Sequence, residues 1–261
     1  MEVDTQNFDY STKVTNTKIE INTHQIIPPL ELDIYLPEKN MISHVKKSNI
    51  IIKKPYMHRR KSIMTKVFFV RHAQPLHEHS DDRTRPLTDE GVKDTFIVLD
   101  TLKDKKIDAF YCSPYKRSMD TIKETAQYYH KEIKTDERLR EREKGANGNN
   151  HGMFQKRWED HDYHEEGGES IKMVQSRNIE ALKEILENNQ GKNIVIGTHG
   201  TALSSIMNYY NPDFGCNDFL RIIDWMPYIV ELDFEGQELV NIKEHAYIEK
   251  EFKGNNRADK K

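Results

Sequence analysis

The clearest signal for the fold is Val67-Phe68-Phe69-Val70-Arg71-His72, an apolar run followed by two polar residues. Its apolar residues are β-formers bounded by polar residues, a pattern that indicates a short buried strand. An arginine and a histidine follow directly where that strand ends. Ligands bind beyond the carboxyl ends of strands in open α/β sheets, so this position favours a ligand site.

Strand and helix signals alternate along the chain from Met64 onward. Further strands are predicted at residues 107–111, near residue 133, at 193–197, and in a hairpin of 228–234 and 239–242. Helices are predicted at 88–102, 119–126, 171–186 and 201–209. This alternation favours an α/β fold, a three-layer α/β/α sandwich on a mostly parallel central sheet.

The helices are predicted to be amphipathic. Thr88 suits the N-cap of the first one, with Asp89 and Glu90 in its first turn. Its apolar residues at helical spacing are Val92, Phe96, Leu99 and Leu102. The corresponding residues of the second helix are Met119, Ile122 and Ala126. The long third helix is predicted to bury Ile171, Val174, Asn178, Ala181, Leu182, Ile185 and Leu186.

The chain is expected to divide near Met64. Residues 1–63 show no helix-period pattern and are interpreted as an extension of unknown role: a small packed addition, a flexible arm, or translation from an upstream start codon. Residues 64–252 form the predicted main domain and residues 253–261 a polar tail. Residues 142–168 are predicted to form a long loop with one short helix, the usual place for a substrate lid.

Composition argues against several classes of function. The formal net charge is -3, without the basic balance of a nucleic-acid binder. No apolar run approaches the ~20 residues needed to span a bilayer, and the first residues lack the apolar segment of a secretory signal. Cys112 and Cys216 fit neither a disulfide framework nor a zinc pattern. We therefore expect a cytoplasmic protein that binds neither nucleic acid nor membrane.

Residues with characteristic chemistry follow the predicted strands. They are Arg71-His72, Ser113-Pro114-Tyr115-Lys116-Arg117, Arg140-Glu141 and His199-Gly200-Thr201. Because the carboxyl ends of parallel strands meet at one edge of a sheet, these groups are expected to converge there. Each residue alone is more often an ordinary surface or core residue, whereas the whole set in this order favours a catalytic site.

These motifs resemble the histidine phosphatase superfamily, the phosphoglycerate-mutase-like proteins, from about Met64 to the final hairpin. The matching segments are Arg71-His72-Ala73, Leu87-Thr88-Asp89-Glu90-Gly91, Ser113-Pro114-Tyr115-Lys116-Arg117-Ser118, Leu139-Arg140-Glu141, Gly168-Glu169-Ser170 and Thr198-His199-Gly200. The resemblance implies that fold and a phosphoryl-transfer site at the strand ends.

The resemblance implies that His72 is a nucleophile that becomes phosphorylated. Arg71 and Arg117 offer forked, permanently charged donors that match phosphoryl oxygens. Their charge also disfavours the imidazolium form of His72, which keeps a lone pair available at neutral pH. His199 and the amides that follow it, beginning with Gly200, are expected to stabilise the equatorial oxygens.

Glu141 is implied to protonate the leaving alkoxide and then to activate water, with Glu143 as the second candidate. Some relatives use an aspartate directly after the second histidine, and Gly200 at that position favours Glu141. No metal or other cofactor is required, since the arginines and histidines supply the positive charge. A metal site is the weaker interpretation of the remaining histidines and acids, which are His77, Glu78, His79, Asp81, Asp82, His151, His161 and His164.

The sequence departs from the family pattern just after His72. Where family members often carry Gly, then Thr or Ser, then Asn, this chain has Ala73, Pro75 and Glu78. The hydroxyl and the amide that are lost could both donate to phosphate or substrate. Candidate replacements for these donors are Gln74, Arg83 and Arg85.

Three functions follow from these interpretations. The favoured one is a phosphatase that hydrolyses small phosphorylated metabolites through a phosphohistidine on His72. The alternative is a 2,3-bisphosphoglycerate-dependent phosphoglycerate mutase, against which Pro75 and Glu78 count. A catalytically inactive phosphate-binding module is least favoured, because a binder needs no general acid. The physiological substrate and the oligomeric state stay open.

Overall fold

A computed structural model of the protein describes residues 63–146 and 153–251. The predicted extension of residues 1–63, apart from Ile63, and the predicted tail of residues 253–261 lie outside the described residues. His151 lies outside them as well. None of the described helices is long and apolar enough to cross a membrane.

The described residues form strands and helices in alternation. The strands are β1 Met64–Arg71, β2 Ala109–Cys112, β3 Ile133–Thr135, β4 Asn193–Thr198, β5 Trp225–Glu235 and β6 Glu238–Glu249. The helices are α1 Asp89–Leu102, α2 Lys116–Tyr128, α3 Met153–Glu159, α4 Ile171–Asn188, α5 Gly200–Tyr210 and α6 Cys216–Ile222. A short 3-10 turn, Glu137–Leu139, follows β3.

The strands form one sheet in the order β3-β2-β4-β1-β5-β6. β1, β4, β2 and β3 pair in parallel, and the antiparallel partners are β5 on β1 and β6 on β5. The predicted α/β class with a mostly parallel sheet and a C-terminal hairpin is therefore confirmed. The register pairs Arg71 with Thr198, so the segments that follow β1 and β4 begin side by side.

Two apolar clusters cover the two faces of the sheet. Val67 and Phe69 of β1 belong to the cluster that contains residues of α4, α5 and α6. Phe68 and Val70 belong to the other, with residues of α1 and α2. Successive side chains of a strand point to opposite faces, so an apolar run buried on both sides is what a central strand requires.

Helix α1 begins as predicted, but the face that it buries is not the predicted one. The Thr88 side chain accepts a hydrogen bond from the Gly91 amide at 2.9 Å. Val92 and Phe96, which were expected in the apolar stripe, are exposed. The buried residues are Gly91, Thr95, Val98 and Leu102. The cause is close packing of Gly91 against the backbone of Gln74, where a Cβ would collide with the carbonyl oxygen.

Other elements differ from prediction mainly at their ends. The predicted buried stripe of α4 is confirmed, with Ile179 added to it. β2 begins at Ala109, two residues later than predicted, although Ile107 is buried. Helix α6 was not predicted, and α3 is the short helix expected within residues 142–168.

Candidate active site

Backbone hydrogen bonds fasten the segments that leave the central strands. The His72 amide donates to the Thr198 carbonyl at 3.1 Å, and the Ser113 amide donates to the Gly197 carbonyl at 3.0 Å. These bonds continue the parallel ladders past the strand ends. The structure therefore brings the predicted segments after β1, β2 and β4 to the same edge of the sheet.

A cavity of about 180 Å³ opens at this edge. One half of its wall is charged and includes Arg71, His72, Asp82, Arg85, Arg117, Glu141 and Lys144. The other half is apolar and consists of Phe154, Trp158, Ile171, Phe219, Ile223 and Met226. The charged half comes from the segments after the strands, whereas the apolar half comes from α3, α4, α6, the residue that follows α6, and β5.

His72 lies in the cavity wall, and one of its two ring nitrogens forms a hydrogen bond. Its Nδ1 lies 2.8 Å from the Ala73 carbonyl oxygen. Because a carbonyl can only accept, Nδ1 carries the proton and Nε2 keeps its lone pair. Burial, assisted by the charges of Arg117 and Arg71, holds the pKa of His72 well below its usual value. The neutral imidazole is thus the form present at neutral pH.

His199 stands behind His72 and is completely buried. The two ring centroids are 5.2 Å apart, and the His199 Nε2 lies 2.7 Å from the Ser113 Oγ. Burial and then the charge of Arg117 also hold the pKa of His199 well below its usual value. His199 is the N-cap residue of α5, as expected, but it is not part of the cavity wall.

Arg71 lines the cavity with its guanidinium anchored at the end of α6. Its Nη1 donates to the Ile222 carbonyl at 2.6 Å, and its Nη2 donates to the Ile223 carbonyl at 2.8 Å. Gly200 lies against this group: a Cβ at that position would be 3.3 Å from the Arg71 Cζ. Gly200 therefore leaves room for the arginine, and a larger residue would press on it.

Arg117 and Arg85 converge on Asp82. The Arg117 Nη1 donates to the Asp82 main-chain carbonyl at 2.6 Å and lies 3.4 Å from the carboxylate Oδ1. Arg85 forms an ion pair with the same Oδ1. Of the candidate replacement donors, only Arg85 is part of the cavity wall. The other two are engaged elsewhere, Arg83 with Glu137 and Gln74 with Thr88.

Glu141 is held by amides at both carboxylate oxygens. Oε1 accepts from the Arg142 amide at 2.8 Å, and Oε2 accepts from the Thr201 amide at 3.0 Å. The Thr201 amide, in the first turn of α5, is thus engaged with the acid. Glu143 is half-exposed, contacts the Tyr115 hydroxyl and is absent from the wall. The geometry favours Glu141 over Glu143 as a group that faces a ligand.

A buried carboxylate ties the segment after β3 to helix α3. Glu165 accepts from the Arg142 Nη1 at 3.3 Å and from the Arg157 Nε at 3.0 Å. Burial opposes ionisation, but pairing with the arginines leaves the pKa of Glu165 below its usual value. Arg142 and Arg157 also line the cavity, so two members of this ion-pair cluster contribute to its wall.

Several site residues escaped the sequence interpretation. They are Arg142, Lys144, Arg157 and most of the apolar half of the wall, whereas Asp82 had been named only for the weaker metal interpretation. In the sequence the charged ones stand among many other charged residues, which gives no local signal. Among the described residues, no three His, Cys, Asp or Glu side chains are grouped so that they could hold a metal ion.

The comparisons with known proteins agree with this fold. Residues 67–241 match the family model of the histidine phosphatase superfamily, branch 1. The chain belongs to this superfamily. None of the curated proteins compared with the chain matches it significantly.

Solved structures with the same fold include several phosphatases. Mycobacterial glucosyl-3-phosphoglycerate phosphatase is 15% identical with a TM-score of 0.59, and the match covers 69% of this chain and 97% of that one. Phosphoserine phosphatase from Entamoeba histolytica, in complex with 3-phosphoglyceric acid, is 21% identical with a TM-score of 0.58, covering 70% and 97%. YhfR of Bacillus stearothermophilus is 22% identical with a TM-score of 0.56, covering 67% and 94%. At these identities the likeness concerns the fold.

Proposed function

We propose that the protein is a phosphatase that hydrolyses small phosphomonoesters through a phosphohistidine intermediate on His72. The observation that carries the proposal is the place of His72, whose Nδ1 lies 2.8 Å from the Ala73 carbonyl oxygen, in a cavity wall shared with Arg71 and Arg117. We propose residues 64–252 as the phosphatase domain.

In the first step, the lone pair of the His72 Nε2 attacks phosphorus, and an N–P bond forms. The bond from phosphorus to the ester oxygen breaks, and Glu141 gives its proton to the leaving oxygen. Arg117, Arg71 and Arg85 offset the charge of the phosphoryl oxygens. The α5 N-terminus at Gly200 is proposed to stabilise the same oxygens, and His199, buried outside the cavity wall with its ring 5.2 Å from that of His72, is proposed to hold the nucleophile in position.

In the second step, water replaces the leaving alcohol. Glu141, now ionised, takes a proton from the water as the oxygen attacks phosphorus. The N–P bond breaks, inorganic phosphate leaves, and His72 returns to its neutral form. The Ala73 carbonyl holds the Nδ1 proton throughout, so that Nε2 is the nitrogen presented in each cycle.

The apolar half of the cavity suits the organic part of the ester. Phe154 and Trp158 come from the segment interpreted as a lid, and Phe219 comes from α6. Apolar contact with a leaving group contributes binding free energy that inorganic phosphate cannot obtain. Substrate choice is therefore proposed to reside in this half, while phosphoryl capture resides in the charged half.

Release of phosphate from p-nitrophenyl phosphate tests the proposal. The wild-type protein is expected to turn over, His72→Ala to be inactive, and His130→Ala, on a turn outside the cavity wall, to match the wild type. Absence of turnover in the wild type with this ester and with a panel of sugar phosphates, phosphoglycerates and nucleotides would contradict it. Interconversion of 3- and 2-phosphoglycerate that depends on 2,3-bisphosphoglycerate would instead establish the mutase.

A further inference from the structure

Asp82 places a carboxylate where three cations of the charged half meet. Its Oδ1 pairs with Arg85, lies 3.4 Å from the Arg117 Nη1 and lies 3.9 Å from the Lys144 Nζ. All four side chains belong to the cavity wall that includes His72. The carboxylate thus holds the position from which an anionic ligand would bind the same cations.

We propose that Asp82 is an internal competitor for phosphate, a side chain that occupies the anion position in the empty pocket and that the phosphoryl group displaces. The proposal rests on the proposed function, because it requires that the cavity bind phosphate. Asp82 thereby lowers the affinity of the site for phosphate, because phosphate must first break the ion pairs between Asp82 and the cations.

The main chain at Asp82 makes this displacement feasible. The carbonyl oxygen of Asp82, rather than its carboxylate, forms the short hydrogen bond of 2.6 Å to the Arg117 Nη1. Arg117 therefore keeps its orientation when the carboxylate swings away. The Asp82 side chain is 28% exposed, so it can turn into solvent, and the contacts it gives up are the ion pairs with Arg85, Arg117 and Lys144 that the phosphoryl group would replace.

The base of the loop also stays fixed when the side chain moves. Pro75 and Leu87 form an isolated antiparallel bridge, and the Leu76 amide donates to the Pro86 carbonyl at 2.9 Å. These bonds close the loop that carries Asp82 without using its carboxylate. Displacement is accordingly a rotation of one side chain rather than an opening of the loop.

The opposite role, in which the carboxylate only organises the cations, predicts the opposite result. Asp82→Asn keeps the shape of the side chain and removes its charge. A competitor leaves when its charge is removed, so inorganic phosphate should bind more tightly. An organising residue would leave Arg85 and Lys144 without their partner, so phosphate should bind more weakly.

The test measures the inhibition constant of inorganic phosphate and the KM and kcat of p-nitrophenyl phosphate for the wild type and Asp82→Asn. We expect the inhibition constant and KM to fall about threefold to fivefold, the size expected of partly exposed ion pairs. Asp81→Asn is the matched control, because Asp81 bonds within the loop, to Thr84 and the Arg83 amide, and lies outside the cavity wall. It should leave both constants unchanged.

Each outcome decides the proposal. Phosphate binding that is unchanged or weaker in Asp82→Asn overturns it, and so does a fall in kcat alone, which would make Asp82 a proton donor. If the wild type neither binds phosphate nor hydrolyses the ester, the proposed function fails and this inference fails with it. If the wild type does both and Asp82→Asn does not bind phosphate more tightly, only the role of Asp82 is refuted.

Discussion

The carboxylate of Glu141 accepts a hydrogen bond from the Thr201 amide at 3.0 Å, which fastens the acid to the first turn of the helix that His199 caps. The Arg142 amide holds the other carboxylate oxygen at 2.8 Å. With both oxygens held by main-chain groups, the direction of the carboxylate is set by the backbone. An acid fixed in this way is preorganised for proton transfer.

Replacement of Glu141 with Gln is expected to slow both steps of the reaction. Turnover of an alkyl phosphate should fall by about 100-fold or more, because its alkoxide cannot leave without a proton. With p-nitrophenyl phosphate the first step depends less on a proton donor, because nitrophenolate leaves unprotonated. Stopped-flow absorbance should therefore show a burst of nitrophenolate followed by slow turnover.

Glu143→Gln is the matched control for this prediction. Glu143 is half-exposed and outside the cavity wall, so its turnover should stay within about twofold of the wild type. The assignment of the acid would be wrong if Glu143→Gln lost activity while Glu141→Gln kept it.

The lowered pKa values of His72 and His199 predict an unusual titration. Both imidazoles should stay neutral as the pH falls through about 6.5, the ordinary histidine value, and take up protons only below it. Histidine ring resonances followed by NMR across this range would show it, with assignments from His72→Gln and His199→Gln. In urea the same resonances should titrate near the ordinary value, and an ordinary titration in the folded protein would refute the prediction.

Phe154 should contribute to the binding of the organic part of the substrate and contribute little to the binding of phosphate. Its ring lines the cavity and is only partly buried, so Phe154→Ala removes contact area without opening the core. The KM for p-nitrophenyl phosphate should rise about fivefold to tenfold, while the inhibition constant of inorganic phosphate changes less than about twofold. Gln155→Ala, an exposed neighbour, should change neither. Equal changes in both constants for Phe154→Ala would argue against a division of the cavity into two halves.

Glu165 should matter for stability because two buried arginines share its carboxylate. The side chains of Arg142, Arg157 and Glu165 are 5%, 2% and 6% exposed. Glu165→Gln removes the carboxylate charge that both buried arginines share, so the free energy of unfolding in urea should fall by about 3–5 kcal/mol. Glu166→Gln, exposed on the same segment, should stay within about 0.5 kcal/mol of the wild type. A loss of less than about 1 kcal/mol for Glu165→Gln would show that the cluster contributes little.

The sequence predicted those parts of the fold whose signals are local. β1 has an apolar run bounded by polar residues, and α4 has a continuous buried stripe that begins at the capping residue Ser170. The rotation of α1 could not be predicted, because contact of Gly91 with the backbone of Gln74 determines it. Helix α6 is only seven residues long, too short for a clear periodic pattern.

In the candidate site, too, the residues with a local sequence signal could be predicted and those placed by tertiary contacts could not. His72 and Arg117 could be placed because they belong to motifs next to strands, whose ends meet in a parallel sheet. Asp82 and Lys144 lie in loops among other charged residues, and only the course of the loops brings them together. The sequence already favoured Glu141 over Glu143, and the structure adds that Glu141 lines the cavity whereas Glu143 does not.

Capture of the phosphorylated intermediate tests whether His72 carries the phosphoryl group. The protein would be mixed with a radiolabelled phosphomonoester, quenched in alkali within one turnover and digested, and the labelled peptide sequenced. We expect an acid-labile, alkali-stable label on His72 that is absent from His72→Asn and accumulates in Glu141→Gln. Hydrolysis of the ester without label on His72, or full activity in His72→Asn, would contradict it.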